Sequence, residues 1–329
     1  MNNRNDATTQ CCAECGEEGG ASLKACKSCM IVKYCNVKCQ KKHWSKHKKI
    51  CKQRAAELRD EALFNDPPAN EDCPICFLPM PIKLICCISL PPATISSVPI
   101  YDFAIANEEL AKKHMEKYYS CCGKSICKGC VYSFRKSGND DKCPFCNSDR
   151  GDDTDEQRVE ETMMRVEVND VTSICVMAGY YFEGTGGLQQ DHTRAMELYA
   201  RAAELGSRHA HFELAAIYHQ GGDLKKAKFH YEAAAMAGHE VARYNLAGHE
   251  VARYLGSVEA QKANSERALK HLRIVASAGD YSAMHYLRTI FEKGFVSRES
   301  IDSTLTAYNN SCAETRSEAR DAYIRILQF

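Results

Sequence analysis

The chain has 329 residues, 44% of them hydrophobic, and 43 Lys and Arg balance 43 Asp and Glu. That size allows two or three domains, and the charge is zero overall though unevenly spread. No stretch approaches a membrane span, and the polar opening, Met1 to Gln10, lacks the apolar run of a secretion signal, so membrane and secreted classes are set aside.

The 20 cysteines are distributed unequally: 18 precede position 147, and only Cys175 and Cys312 follow it. The first part therefore reads as stapled, and the second as packing a core of its own. A reducing setting, cytoplasmic or nuclear, is expected, and there clustered CxxC pairs act as metal ligands rather than disulfides.

After a disordered tail at 1–11, the spacing runs Cys12 and Cys15, Cys26 and Cys29, then Cys35, Cys39, His47 and Cys51. A short turn between two thiolates presents both sulfurs to one ion, and the ion replaces a core that forty residues cannot build. Tyr34 before Cys35, Gln40 after Cys39, Trp44 and the His47–Cys51 spacing make residues 12–51 resemble a MYND-type zinc finger. The resemblance implies one Zn2+ on Cys12, Cys15, Cys35 and Cys39, a second on Cys26, Cys29, His47 and Cys51, and binding of short proline-containing peptides. Both sets are full, so the metal is structural. Cys11 is left as a spare thiol, and His43 as an exposed helical residue.

Lys33 to Arg54 holds nine Lys or Arg and no acid. Zinc centres built on thiolates are themselves negative and offset part of this, so a solvated face is expected and nucleic acid is not an expected partner. Residues 52–72 read as a helix, Gln53 to Phe64, ended by the linker residues Asn65, Asp66, Pro67 and Pro68.

The second cysteine group occupies 73–147. It opens with Cys73-Pro74-Ile75-Cys76, closes with Cys143-Pro144-Phe145-Cys146, and holds Cys121, Cys122, Cys127 and Cys130 between them. These features, with Ile126 before Cys127, resemble a RING-type finger. The resemblance implies one Zn2+ on Cys73, Cys76, Cys127 and Cys130 and another on a middle pair with Cys143 and Cys146, making four ions in the chain, two per module. Lys124 stands where that family usually has a histidine, and a protonated lysine cannot ligate zinc. Cys121 with Cys122 is the expected middle pair, with Cys86 or Cys87 in reserve. An insertion of 44 residues separates Cys76 from Cys121, with Pro91, Pro92 and a polar helix-like run from Asn107 to Tyr119; closing such a loop costs little entropy.

Residues 148–168, with seven acids between Asp149 and Glu161, read as an acidic, mobile linker. Beyond it the composition turns to alanine-rich helix. Ala195 to Gly206, Ala227 to Gly238 and Ala268 to Gly279 are one helix written three times, each closed by a glycine suited to a left-handed cap. Partner helices are expected at Val171 to Gly184, Ser207 to Gln220, His239 to about Tyr254 and Asp280 to Lys293. The octapeptide Ala237 to Tyr244 recurs at Ala247 to Tyr254, ten residues on, which is not a whole number of helical turns and predicts a lengthened or broken helix. Gly179-Tyr180-Tyr181-Phe182-Glu183-Gly184-Thr185-Gly186, with Ala195 and Tyr199, makes 169–296 resemble Sel-like repeats, relatives of tetratricopeptide repeats. Such pairs stack into a solenoid with a groove for a partner. Residues 297–329 read as a capping helix, and the solenoid histidines as ordinary helical positions.

The expected fold class is small zinc-stapled modules followed by an all-α helical-repeat solenoid. The expected function is a zinc-binding protein-interaction adaptor. In its sharper form the RING-like module docks a ubiquitin-conjugating enzyme through Ile75, Phe134 and Pro144, and the MYND finger and repeat groove recruit substrate. A RING ligase has no nucleophile of its own, so no catalytic residue is expected. The alternative is a non-enzymatic or transcription-related scaffold with purely structural zinc.

Overall fold

The computed structural model describes residues 11–19, 22–68, 71–80, 116–252 and 258–327, divided into two units at Asn65 and Asp66. In the first unit, strands β1 (Lys24–Ala25) and β2 (Lys33–Tyr34) pair antiparallel, Lys24 opposite Tyr34. Helix α1 (Val37–Phe64) follows, its start fixed by Asn36, whose side-chain oxygen accepts from the Cys39 N–H at 3.0 Å. The helix expected from Gln53 is the continuation of α1, because no breaker intervenes before Pro67. The small core consists of cysteines with Leu23 and Tyr34.

The second unit opens with a cysteine module: β3 (Glu116–Tyr119) pairs antiparallel with β4 (Lys124–Cys127), and α2 (Lys128–Lys136) follows at once. The helix-like run expected to reach Tyr119 is therefore corrected: its last four residues are strand, with Lys117 opposite Ile126, and the remainder, 107–115, lies outside the described residues. Cys86, Cys87, Pro91 and Pro92 lie outside them as well.

The stretch read as an acidic connector is also corrected. It carries α3 (Asp155–Glu167), opened by a capping box in which Thr154 and Gln157 satisfy each other's backbone N–H groups. Asp155 and Glu156 sit in its first turn, where acids complement the helix dipole, and Val159, Thr162 and Val166 form the buried stripe.

The solenoid then runs as helix pairs: α4 (Val171–Glu183) with α5 (His192–Glu204), α6 (Arg208–Gln220) with α7 (Leu224–Met236), and α8 (Glu240–Ala252) with α9 (Val258–Ser277). Helix α10 (Tyr281–Glu292) follows, and the single capping helix expected over 297–329 is corrected: it is two helices, α11 (Arg298–Glu314) and α12 (Glu318–Leu327), parted after the α11 cap at Thr315. The second helix of each pair buries the same register: Ala195, Tyr199 and Ala202; Ala227, Tyr231 and Ala234; Ala268, Leu272 and Val275. Pairs are joined by a turn that fits only glycine comfortably. Gly206, Gly238 and Gly279 have φ of +89°, +86° and +97°, and each is followed by the residue that caps the next helix.

The repeated octapeptide takes two conformations. Its first copy spans the Gly238 turn and starts α8; in the second, Ala247 to Ala252 continue α8 and the rest lies outside the described residues. The extra residues thus extend the pair, and α9 at 20 residues is longer than α5 or α7 at 13.

Candidate metal centres

Four of the five CxxC pairs sit on the same backbone turn, the exception being Cys127 and Cys130 at the start of α2. The N–H of the residue after the second cysteine donates to the carbonyl of the first: Gly16 to Cys12 at 2.9 Å, Met30 to Cys26 at 2.9 Å, Phe77 to Cys73 at 2.8 Å and Asn147 to Cys143 at 2.9 Å. All four of those residues are left-handed, with φ between +55° and +74°. The turn curls the backbone around the place where the two sulfurs meet.

Among the described residues, four sets of side chains converge: Cys12, Cys15, Cys35 and Cys39; Cys26, Cys29, His47 and Cys51; Cys73, Cys76, Cys127 and Cys130; Cys121, Cys122, Cys143 and Cys146. Within each set the potential ligand atoms lie within 4.8 Å of one another. A tetrahedron of sulfurs about 2.3 Å from zinc has an edge of about 3.8 Å. Observed separations match it: 3.7 Å for Cys15–Cys35 and Cys26–Cys51, 3.8 Å for Cys73–Cys130, 3.9 Å for Cys76–Cys127, 3.8 Å for Cys122–Cys143 and 3.7 Å for Cys121–Cys146. His47 Nε2 lies 3.3 Å from Cys29 Sγ.

The electrostatics fit a cation. Backbone N–H donation, first from Cys15, holds the Cys12 thiol down to about 6, and the Ser148 hydroxyl does the same for Cys146. Their neighbours move the other way: Cys35, in the set of Cys12, is pushed up to about 12 by the Cys39 thiol and then by burial, and Cys122, in the set of Cys146, is pushed up to about 11 by burial. Four such thiols ionise together only around a positive ion, and soft thiolates suit zinc. The four sets are compatible with four zinc ions.

The two sets of the second module interleave in sequence, so neither can close without the other's chain segment. Cys121 and Cys122 reach the same set because they lie on the β3–β4 turn, where the Cys122 and Gly123 N–H groups both donate to the Tyr119 carbonyl. Lys124 is no ligand: its ammonium lies over the Phe145 ring, 4.9 Å from the centroid. Ile75 is exposed on the first turn of this module, Pro144 is half-buried on the second, and Phe134 is half-buried on α2.

Several residues escape sequence reasoning. His43, expected to be exposed, is half-buried, its Nδ1 3.0 Å from the Tyr34 hydroxyl and its ring stacked on His47. Arg165 of α3 donates to the Ser120 carbonyl at 2.8 Å and to that of Cys121, Arg150 joins the Ser120 hydroxyl to Glu161, and the Tyr118 hydroxyl meets Ser173 of α4 at 2.8 Å. From the far end of the chain, Arg320 of α12 donates to the Pro79 carbonyl at 2.8 Å. No local sequence signal marks these arginines, since their partners lie up to 241 positions away.

Comparison with known proteins agrees with this anatomy. The model of the MYND finger matches residues 12–51, and that of the Sel1 repeat matches 173–207, 208–239 and 241–280. Among solved structures, the chain is similar to c5321, a protective antigen of uropathogenic Escherichia coli strains displaying an SLR fold. The identity is 21% and the TM-score 0.37, over 52% of this chain and 40% of that one. It is also similar to a Sel1 repeat protein from Oxalobacter formigenes, at 23% identity and a TM-score of 0.40, over 59% of this chain and 70% of that one. The family models, the four converging sets and the helix pairs define the class: small zinc-binding modules followed by a helical-repeat solenoid. This chain carries a MYND finger at 12–51 and Sel1 repeats across 173–280, both protein-interaction modules. Among the described residues, no helix is long and apolar enough to cross a membrane.

Proposed function

We propose that the chain is a zinc-dependent adaptor whose second module is a RING-type finger that recruits a ubiquitin-conjugating enzyme, while the MYND finger and the repeat groove bind the substrate. In this reading the residues of the four converging sets are the ligands of four structural zinc ions, and the protein works in the cytoplasm or nucleus, on protein rather than nucleic acid. The observation that carries it is the interleaving of the two second-module sets, with Ile75 left exposed on the turn between Cys73 and Cys76. Pro144 and Phe134 would complete the docking face. The module contributes no nucleophile; it holds the thioester of the charged enzyme near a substrate lysine, and orientation supplies the rate.

The test is autoubiquitination of the purified full chain with a panel of conjugating enzymes. A ladder is expected with at least one enzyme and should disappear in Ile75→Ala while the zinc content stays at four. Silence with every enzyme, at full zinc content, removes the ligase. One observation favours a non-enzymatic scaffold instead: Asn147 occupies the position after the last cysteine, where active ligases often carry an arginine that contacts ubiquitin. A silent assay accompanied by retained peptide binding at the MYND finger would support that second reading.

A further inference from the structure

The last helix of the chain ends on the first metal set of the second module. Gly129, next to Cys130, approaches α12 so closely that a Cβ there would lie 2.8 Å from the Arg320 backbone nitrogen. At that crossing Arg320 is only 5% exposed. Its guanidinium donates to the carbonyls of Pro79 at 2.8 Å, Leu78 at 3.3 Å and Thr315 at 2.7 Å, and to Cys76 Sγ at 3.5 Å. A buried guanidinium is costly unless charge and acceptors meet it. Zinc held by four thiolates carries a formal charge of minus two, so the cost of each is offset by the other.

We propose that Arg320 is a positioning residue for the set Cys73, Cys76, Cys127 and Cys130, fixing the Cys76 sulfur and balancing the charge of the thiolate centre. The C-terminal helix thereby governs how firmly this one ion is held. The inference rests on the assignment of zinc to this set. Groups that hydrogen-bond to metal ligands typically change affinity by about 10- to 100-fold when removed.

The experiment follows zinc release from the full chain to a chromogenic chelator, with the ion of this set identified by its loss in Cys73→Ser. Arg320→Gln should speed release of that ion by about tenfold and leave the other three unchanged. Arg320→Lys, which keeps the charge, should restore most of the retention. In the cobalt-substituted protein, Arg320→Gln should shift the thiolate-to-metal absorption band. Unchanged release in Arg320→Gln overturns the proposal, as does equal acceleration in the Lys and Gln variants or acceleration of all four ions together. Should Arg320→Gln lose helical content, Gly129→Ala, whose Cβ would meet the Arg320 backbone, pushes the start of α12 and its guanidinium away from the set instead, and unchanged release there overturns the proposal equally. An ion count that does not fall in Cys73→Ser overturns the zinc assignment, and the role of Arg320 with it.

Discussion

At the scale of single residues, the metal sets depend on a backbone conformation that the CxxC spelling does not reveal. Gly16, Met30, Phe77 and Asn147 are all left-handed, yet only one of them is glycine. An L-residue there costs roughly 1–2 kcal/mol, with asparagine better tolerated than phenylalanine. Phe77 is 76% exposed, so it returns little packing for that strain. Phe77→Gly should therefore make the module more resistant to urea by about 1 kcal/mol, read as a higher urea midpoint for zinc loss. Asn147→Arg should lower that midpoint. The adjacent pair Cys121 and Cys122 shows the same limit of sequence reasoning. Successive side chains diverge along a strand, and only the tight turn after Tyr119 brings both sulfurs to one set. Either Cys121→Ser or Cys122→Ser should reduce the ions counted by native mass spectrometry from four to three, whereas Cys86→Ser with Cys87→Ser should leave four.

Among the elements, the solenoid is legible almost helix by helix, because its alanine-and-tyrosine stripe and its closing glycines each have a direct physical role. The partner helix expected from Ser207 to Gln220 is α6, Arg208–Gln220, with Ser207 as its cap. Helix α3 escapes a reading that counts its acids as composition rather than by position. Asp155 and Glu156 belong to the first turn of a capped helix, and Val159, Thr162 and Val166 supply a buried stripe with too few apolar residues to stand out among seven acids. One of the seven, Glu161, holds the helix to the module. Glu161 accepts from Arg150 at 2.8 and 2.9 Å and from the Ser120 hydroxyl at 2.7 Å. Its carboxyl is held below the usual glutamate value, hydrogen bonding from Arg150 being the largest cause and burial opposing it. A depressed folded-state value places the stabilisation above the unfolded value near 4.5, and it is lost as pH falls through the folded value. Glu161→Gln should thus weaken protection of α3 by about 1.5–3 kcal/mol at pH 7 and flatten its acid dependence below pH 4.5, measured by amide exchange and acid titration.

Across the second unit, the cysteine module touches both the beginning and the end of the helical array. Arg165 and Tyr118 tie it to α3 and α4, and Arg320 with the close approach at Gly129 ties it to α12. Loss of its ions should therefore propagate to those helices rather than stop at the module. The middle helices do not depend on it: α6 and α7 bury Ala210, Leu214, Ala227, Tyr231 and Ala234 against their helical neighbours. Local opening follows such a division, with the least buried segments opening first and the helix-pair core last. Chelation of the full chain should raise amide exchange in α3 and α12 while α6 and α7 stay protected, and adding zinc back should reverse the change. Unchanged exchange in α3 and α12 would show that the arginine hydrogen bonds contribute nothing measurable. Loss of protection in α6 and α7 as well would make the zinc module part of the solenoid's cooperative core. In the expected case the repeats keep their stack of helix pairs without zinc, and the metal controls only how the module is held against the two ends of the array.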